Sequence, residues 1–146
     1  MEIKLYSQSD TEYLLALLLR YRILRIPLGL TFSAADLARD RADVHIGAFS
    51  GEEILATLTL TDSGHGALQM RQVAVDDAVQ GRGIGKALAL YAEEYAKKEG
   101  FTLMHCHARA VAVPFYKALG YETIGDEFVE VGIPHYHMQK RLGAVL

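Results

Sequence analysis

Val73-Ala74-Val75, Asp76-Asp77-Ala78-Val79 and Gln80-Gly81-Arg82-Gly83-Ile84-Gly85-Lys86 form one continuous stretch, and the order of its residue types decides the fold. A β-branched strand ends, a loop with glycines at alternate positions follows, and an amphipathic helix begins. Such a junction aims several backbone N–H groups and the positive end of a helix dipole at one spot. Glycine suits that loop because a Cβ would hold a phosphate away from the main chain. Residues 80–86 are therefore expected to receive a phosphate-bearing ligand.

The spacing excludes two well-known phosphate loops. The dinucleotide fingerprint needs glycines at first, third and sixth positions, and counting from Gly81 the sixth is Lys86. The nucleoside-triphosphate loop needs Ser or Thr after Gly-Lys and a Gly five residues before that Gly. Here Ala87 follows Gly85-Lys86, and position 80 is Gln.

What remains is Gln-x-x-Gly-x-Gly at a strand-to-helix junction, which resembles the coenzyme A pyrophosphate loop of the GCN5-related N-acetyltransferases. Downstream, Ala108-Arg109 and Ala112-Val113-Pro114-Phe115-Tyr116-Lys117-Ala118-Leu119-Gly120-Tyr121 are similar to that family's final helix. Gly132-Ile133-Pro134-His135, followed by Met138, resembles the C-terminal signature of the bacterial ElaA-like subgroup. The three pieces stand in family order. The resemblance implies an α/β (α+β mixed) fold. Its central, mostly antiparallel sheet of six to seven strands is flanked by about four helices and splays between strands 4 and 5, where the cofactor enters.

Composition agrees with a globular chain: of 146 residues, 51% are hydrophobic and 23% charged. The length reads as a single domain, 1–146, with room for one sizeable core. A net charge of −3 gives no sign of a nucleic-acid partner. The opening Met-Glu-Ile-Lys is strand-like rather than a secretion signal. The apolar run at residues 13–19 falls well short of the roughly 20 residues a membrane span needs. One cysteine, Cys106, cannot form an internal disulfide. These features read as a cytoplasmic protein with no membrane contact.

Along the chain, residues 2–6 read as a strand. Ser9-Asp10 then caps a helix with Leu14, Leu15 and Leu18 at helical spacing, ended by Pro27 and Gly29. A short helix is expected from Ser33 to Arg39, and strands at 44–49 and 54–61 flank a hairpin turn. A turn at 62–66 leads into a strand at 67–75. The helix after the glycine loop carries Ile84, Ala87, Leu88, Tyr91, Ala92 and Tyr95 on one face, with Glu93, Glu94, Lys97 and Lys98 outside. A strand at 101–107, a helix at 111–119 and strands at 121–124 and 136–141 complete the order, which contains both hairpins and a parallel crossover.

Acetyl transfer from a thioester to an amine needs a held cofactor, a donor for the developing oxyanion, and correct proton movement. Amides of Gly81, Arg82, Gly83, Ile84, Gly85 and Lys86 suit a pyrophosphate, with Gln80 at the loop's start and charge from Arg82 and Lys86. The pantetheine arm of acetyl-coenzyme A is an extended amide chain able to pair with the edge of Val73, Ala74 and Val75. The resemblance gives the thioester carbonyl a backbone N–H from Val75, or from Ala74 one register earlier. It makes Tyr116, seven residues after Arg109 and four before Gly120, the acid that protonates the departing thiolate. A tyrosine packed in the core with its hydroxyl satisfied is the plain alternative. Many family members carry Asn where this chain has Arg109, so Arg109 either meets the cofactor or stands at the surface.

An alkylammonium with a pKa near 10.4 cannot attack until it loses a proton. Candidate bases are His135, His137, Glu130, Glu127, Asp126 and His45. The resemblance puts His135 beside the Gly-Ile-Pro turn at the acceptor end of the sheet, and a free imidazole titrates near 6.5. The alternative is a histidine that fixes the turn by a hydrogen bond.

His105 and His107, like His135 and His137, share a strand face and would approach zinc-ligand geometry only if their strands were neighbours. No known ligand spacing supports this, and no metal is expected. Cys106 points to the opposite face as core. Arg22 and Arg25, one turn apart, either line an acceptor cleft or form a solvated face.

The sequence therefore reads as an acetyl-coenzyme A–dependent N-acetyltransferase that acts by direct attack of a small-molecule or peptide amine in a ternary complex. The alternatives are a non-catalytic acyl-coenzyme A–binding domain and an adaptor of the same fold. Family members often form homodimers.

Overall fold

Strands β1 (Glu2–Tyr6), β2 (Val44–Ser50) and β3 (Glu53–Gly64) form an antiparallel meander, with Ile3 opposite Ala48 and Ile46 opposite Leu58. The structure, a computed structural model, describes residues 1–143. Strands β4 (Ala67–Val75), β5 (Leu103–Arg109), β6 (Glu122–Glu130) and β7 (Ile133–Arg141) complete a seven-stranded sheet in the order β1-β2-β3-β4-β5-β7-β6. β4 and β5 are parallel, and β5, β7 and β6 are antiparallel to one another. Four α-helices accompany the sheet: α1 (Thr11–Arg20), α2 (Ala34–Asp40), α3 (Ile84–Lys98) and α4 (Val113–Ala118). This is the mixed fold that the sequence led us to expect.

The chain divides into two compact units, one of Met1–Thr61 with Gln72–Ala92, the other of Asp62–Arg71 with Glu93–Leu146. In the first unit, Tyr6, Tyr13, Ala16 and Phe49 form a buried cluster with Leu17 and Ile54 packed against it. α1 turns Tyr13, Ala16, Leu19 and Arg20 inward, so Leu14 and Leu18 are exposed rather than part of the core stripe. From Tyr21 the helix widens into a π-helical turn, Tyr21–Arg25, then tightens into a 3₁₀ turn, Ile26–Leu28, which stops at left-handed Gly29. The wider turn separates Arg22 from Arg25. Arg22 pairs with Asp76 at 2.8 Å, whereas the Arg25 guanidinium lies over the Phe32 ring. Ser33 and Asp36 form the capping box that opens α2.

Asp40, the last residue of α2, takes a buried Arg20 at 2.8 Å and the Tyr13 hydroxyl at 2.7 Å. His45, also buried, donates Nε2–H to the Asp40 carbonyl and accepts at Nδ1 from Thr59. Both of its nitrogens are engaged in the core, so His45 is structural.

In the second unit, the β4–β5 ladder pairs Ala67 with Leu103 and ends at Met70 with Cys106. Gln72, within β4, takes a left-handed conformation (φ +53°), a rare position for a non-glycine residue. Glu93 of α3 is buried, not solvent-facing as its place beside Glu94 implies. Its carboxylate accepts from Lys140 at 2.8 Å and from the Tyr121 hydroxyl at 3.0 Å. Lys140, itself partly exposed, also donates to the Leu119 carbonyl, so three segments meet at the buried Glu93 carboxylate.

β6 extends to Glu130, well past the expected end at 124. It is an exposed edge strand with a bulge between Ile124 and Phe128. The turn joining it to β7 is Val131-Gly132, both left-handed, so Ile133 and Pro134 lie in β7 rather than in a turn. Pro134 is tolerated because it lies beyond the β5 ladder, which ends at Arg109 with His135. No helix among the described residues is long and apolar enough to cross a membrane.

Candidate functional site

The first unit carries the strand end and the glycine loop. Val73 and Val75 share one half-buried face of β4, and Ala74 is buried on the other. Asp76 leaves the strand with its N–H on the Leu55 carbonyl and its side chain accepting from Ala78 N–H, which starts a 3₁₀ turn, Asp77–Val79. Gln80 donates to the Val75 carbonyl at 3.1 Å and to Asp77, lacing the loop back onto the strand. Its side chain is thus spent on the loop's shape.

Gly81 and Gly83 are left-handed (φ +81° and +77°), and a Cβ built on either would meet nothing within 4 Å. Their surroundings are therefore open, and the backbone conformation is what demands glycine. The Gly83 carbonyl accepts the first helical hydrogen bond of α3, from Ala87 N–H at 3.0 Å. The N–H groups of Ile84, Gly85 and Lys86 thus fall in the first turn of a 15-residue helix, where no intrahelical acceptor exists. Arg82 and Lys86 are exposed and have no ionic or hydrogen-bonding partner among the described residues. Backbone donors, a helix dipole and two unpaired cations suit a diphosphate.

The second unit carries the candidate proton-transfer groups. Tyr116 is buried on α4, with its ring edge-on to Tyr121 (5.7 Å between centroids) and to Phe115. Burial pushes its phenol pKa well up, with the Cys106 thiol adding to the effect, so the hydroxyl keeps its proton. That hydroxyl has no hydrogen-bond partner among the described residues, whereas Tyr121 spends its own on Glu93. Arg109 ends β5 half-buried and opposite His135, with no ion pair among the described residues. Cys106 is buried, and burial pushes its thiol up to about 12.

His135 is buried in β7. Its Nδ1 lies 2.9 Å from the Ile133 carbonyl, which can only accept, so Nδ1 bears the hydrogen and Nε2 holds the free lone pair of the neutral ring. The turn-fixing bond and a free basic nitrogen are both present. Phe128 stacks on the ring (5.9 Å, 29°), and the Glu130 carboxylate lies 3.6 Å from Nε2. β5 and β7 are neighbours, so the two histidine pairs do meet: His105 Nδ1 is 3.1 Å from His137 Nε2. Burial, and the positive charge nearby imidazoles would carry, lower the pKa of both. Among the described residues no group of three or more His, Cys, Asp or Glu side chains is arranged to hold a metal ion.

The family model described as the acetyltransferase (GNAT) domain matches residues 34–142. The chain belongs to this family. It is 31% identical over 98 residues to the uncharacterized protein YyaT of Bacillus subtilis, a match covering 67% of this chain and 66% of YyaT, just under two thirds of that protein's length. Among solved structures, Escherichia coli ElaA shares the fold with a TM-score of 0.83 at 20% identity, over 96% of this chain and 99% of ElaA. An aminoglycoside 6'-N-acetyltransferase complexed with coenzyme A has a TM-score of 0.79 at 15% identity, over 97% of each chain.

Proposed function

We propose that this chain transfers an acetyl group from acetyl-coenzyme A to the primary amine of a small-molecule or peptide acceptor, by direct attack in a ternary complex. The observation that carries the reading is the glycine loop, where left-handed Gly81 and Gly83 open α3 and Arg82 and Lys86 are exposed with no ionic partner among the described residues. Family membership and a coenzyme A–bound structural neighbour support it. In this reading residues 81–86 grip the pyrophosphate, and the edge of Val73, Ala74 and Val75 pairs with the pantetheine amides. The N–H of Val75, or of Ala74, donates to the thioester oxygen as it becomes an oxyanion.

His135 Nε2 takes the proton that holds the acceptor as an ammonium and releases it to water; the freed amine nitrogen then bonds to the carbonyl carbon, and the second proton this nitrogen sheds balances the one Tyr116 gives up. Collapse of the tetrahedral adduct breaks the carbon–sulfur bond, and Tyr116 O–H supplies hydrogen to the departing sulfur. Arg109 adds charge near the cofactor arm. Direct attack is favoured over an acyl-cysteine because Cys106 is buried and protonated, whereas a thiol nucleophile must ionise. Treatment with N-ethylmaleimide at neutral pH is accordingly expected to leave turnover unchanged; inactivation that parallels Cys106 labelling would point to a two-step acyl transfer.

The test is an assay of free thiol release from acetyl-coenzyme A across a panel of small amines, polyamines, amino sugars, lysine and peptide N-termini. Release that depends on one amine class, with the acetylated product identified by mass, is expected. Tight binding of acetyl-coenzyme A without turnover of any amine would contradict the enzyme and leave an acyl-coenzyme A–binding domain. Gly83→Glu is expected to weaken acetyl-coenzyme A binding by more than about 100-fold, because a carboxylate and a Cβ enter the space assigned to the pyrophosphate. Calorimetry reads this, beside circular dichroism to check the fold, because a side chain at φ +77° strains the loop even though nothing lies within 4 Å; unchanged affinity would displace the pyrophosphate from this loop.

A further inference from the structure

The β6–β7 hairpin surrounds His135 with groups that the proposed chemistry leaves unused. Glu130, the last residue of β6, stands between two imidazoles: His107 Nδ1 is 3.0 Å from its Oε1, and His135 Nε2 is 3.6 Å from its Oε2. A carboxylate can only accept, so His107 donates Nδ1–H and fixes one oxygen, leaving the other turned to His135. Phe128, two residues earlier on the same face of β6, stacks on His135 and lies edge-on to His107 at 5.2 Å. The two-residue loop that sets this register contains Val131 at φ +47°, a conformation that a β-branched residue adopts at a cost. The strain sits where the placement of Glu130 against His135 is decided.

We infer that Glu130 is a positioning residue for His135: its carboxylate, held by His107, stabilises the imidazolium formed when His135 takes the proton of the attacking amine. This rests on the reading of His135 as the base. The tautomer is already correct, because the Nδ1–H on the Ile133 carbonyl leaves Nε2 as the site that gains the proton, and Nε2 is the atom facing Glu130. The Glu130 carboxylate, 3.6 Å from that nitrogen, sets an opposite charge beside the imidazolium. Glu130 and His107 are both partly exposed, so the proton can leave to water from there.

The other charged and titratable groups on this sheet face are placed by register. β5 contributes His105, His107 and Arg109, and β7 contributes His137 and Arg141. β6 contributes Glu122, with Asp126 and Glu127 in its bulge. Arg109 is directly opposite His135 in the ladder. Glu130 is the carboxylate within 4 Å of the ring among the described residues.

The experiment is the pH dependence of kcat/KM for the best amine of the panel, in the wild-type chain, Glu130→Gln, His135→Gln and the double variant. Acetyl-coenzyme A calorimetry reports on folding and cofactor binding. Glu130→Gln is expected to move the acidic limb to lower pH, the direction given by losing an opposite charge 3.6 Å from Nε2. It is also expected to lower the plateau rate about three- to tenfold, because the base is weaker. His135→Gln should abolish the limb, and the double variant should match it, with cofactor affinity unchanged throughout. A limb unmoved in Glu130→Gln but lost in His135→Gln would overturn the role of Glu130 and leave His135 as the base. A limb that survives in His135→Gln, or a panel with no acetylated amine, would overturn the base and this inference together.

Discussion

Tyr116→Phe is expected to lower kcat roughly 100- to 10,000-fold, the range for losing a positioned general acid. Acetyl-coenzyme A affinity should stay within about twofold, because the lost hydroxyl is asked to act as sulfur departs, not in the ground state. The expectation rests on the contrast between two neighbouring tyrosines. Tyr121 donates to the buried Glu93 carboxylate and so has a structural task. Tyr116 is packed against it with no partner for its hydroxyl among the described residues.

Burial raises the phenol's pKa, so Tyr116 stays protonated across the physiological range and is always available as a donor. It is a weaker acid than a thiol, so hydrogen bonding to the developing thiolate comes first and full transfer completes with loss of the thioester. Steady-state kinetics on the best amine, beside calorimetry, separates the two effects. Unchanged kcat would return Tyr116 to the core as packing, and a matching loss of affinity would make it a binding residue.

Asp40→Ala is expected to destabilise the fold by about 3–5 kcal/mol, the cost of leaving a buried charge without its counter-ion. Arg20 is 1% exposed and Asp40 2%, and the carboxylate also accepts from Tyr13. Once the carboxylate is removed, Arg20 keeps only its contact with the Phe32 ring, and its Nε is already without a hydrogen-bond partner. Chemical denaturation measures the loss, with a fall in Tm on the order of 10 °C. Replacing both residues, Arg20→Met with Asp40→Leu, should recover much of the stability, because the isolated charge rather than the missing pair carries the cost. A loss below about 1 kcal/mol would mean that water reaches the pair.

The parts of this protein legible in the sequence are those written in local spacing. The run from Val73 to Lys86 announces strand, loop and helix because glycine position, β-branching and helical periodicity act within a few residues. The Ser33–Asp36 capping box is legible for the same reason. What escaped is written in distant partners. Glu93 carries the charge of a solvent-facing residue, and only Lys140, 47 residues away, makes it a core residue. Arg20 and Asp40 likewise bury one another across 20 residues. Leu14 and Leu18 look like a core stripe, yet the π-helical widening after Arg20 has no local residue signature, and the inward face belongs to Tyr13, Ala16 and Leu19.

The length of β6 is not legible in residues 125–130, which are mostly exposed on an edge and place Phe128 and Val129 side by side rather than in alternation. His135 was identified, but its tautomer and its carboxylate neighbour depend on a register fixed by the Val131-Gly132 turn.

The most direct test is a crystal of the chain grown with acetyl-coenzyme A. The account requires pyrophosphate oxygens at about 3 Å from main-chain N–H groups of residues 81–86, within ordinary hydrogen-bond range. A well-ordered nucleotide thioester anchored on any other part of the chain, with these amides facing solvent, would contradict it.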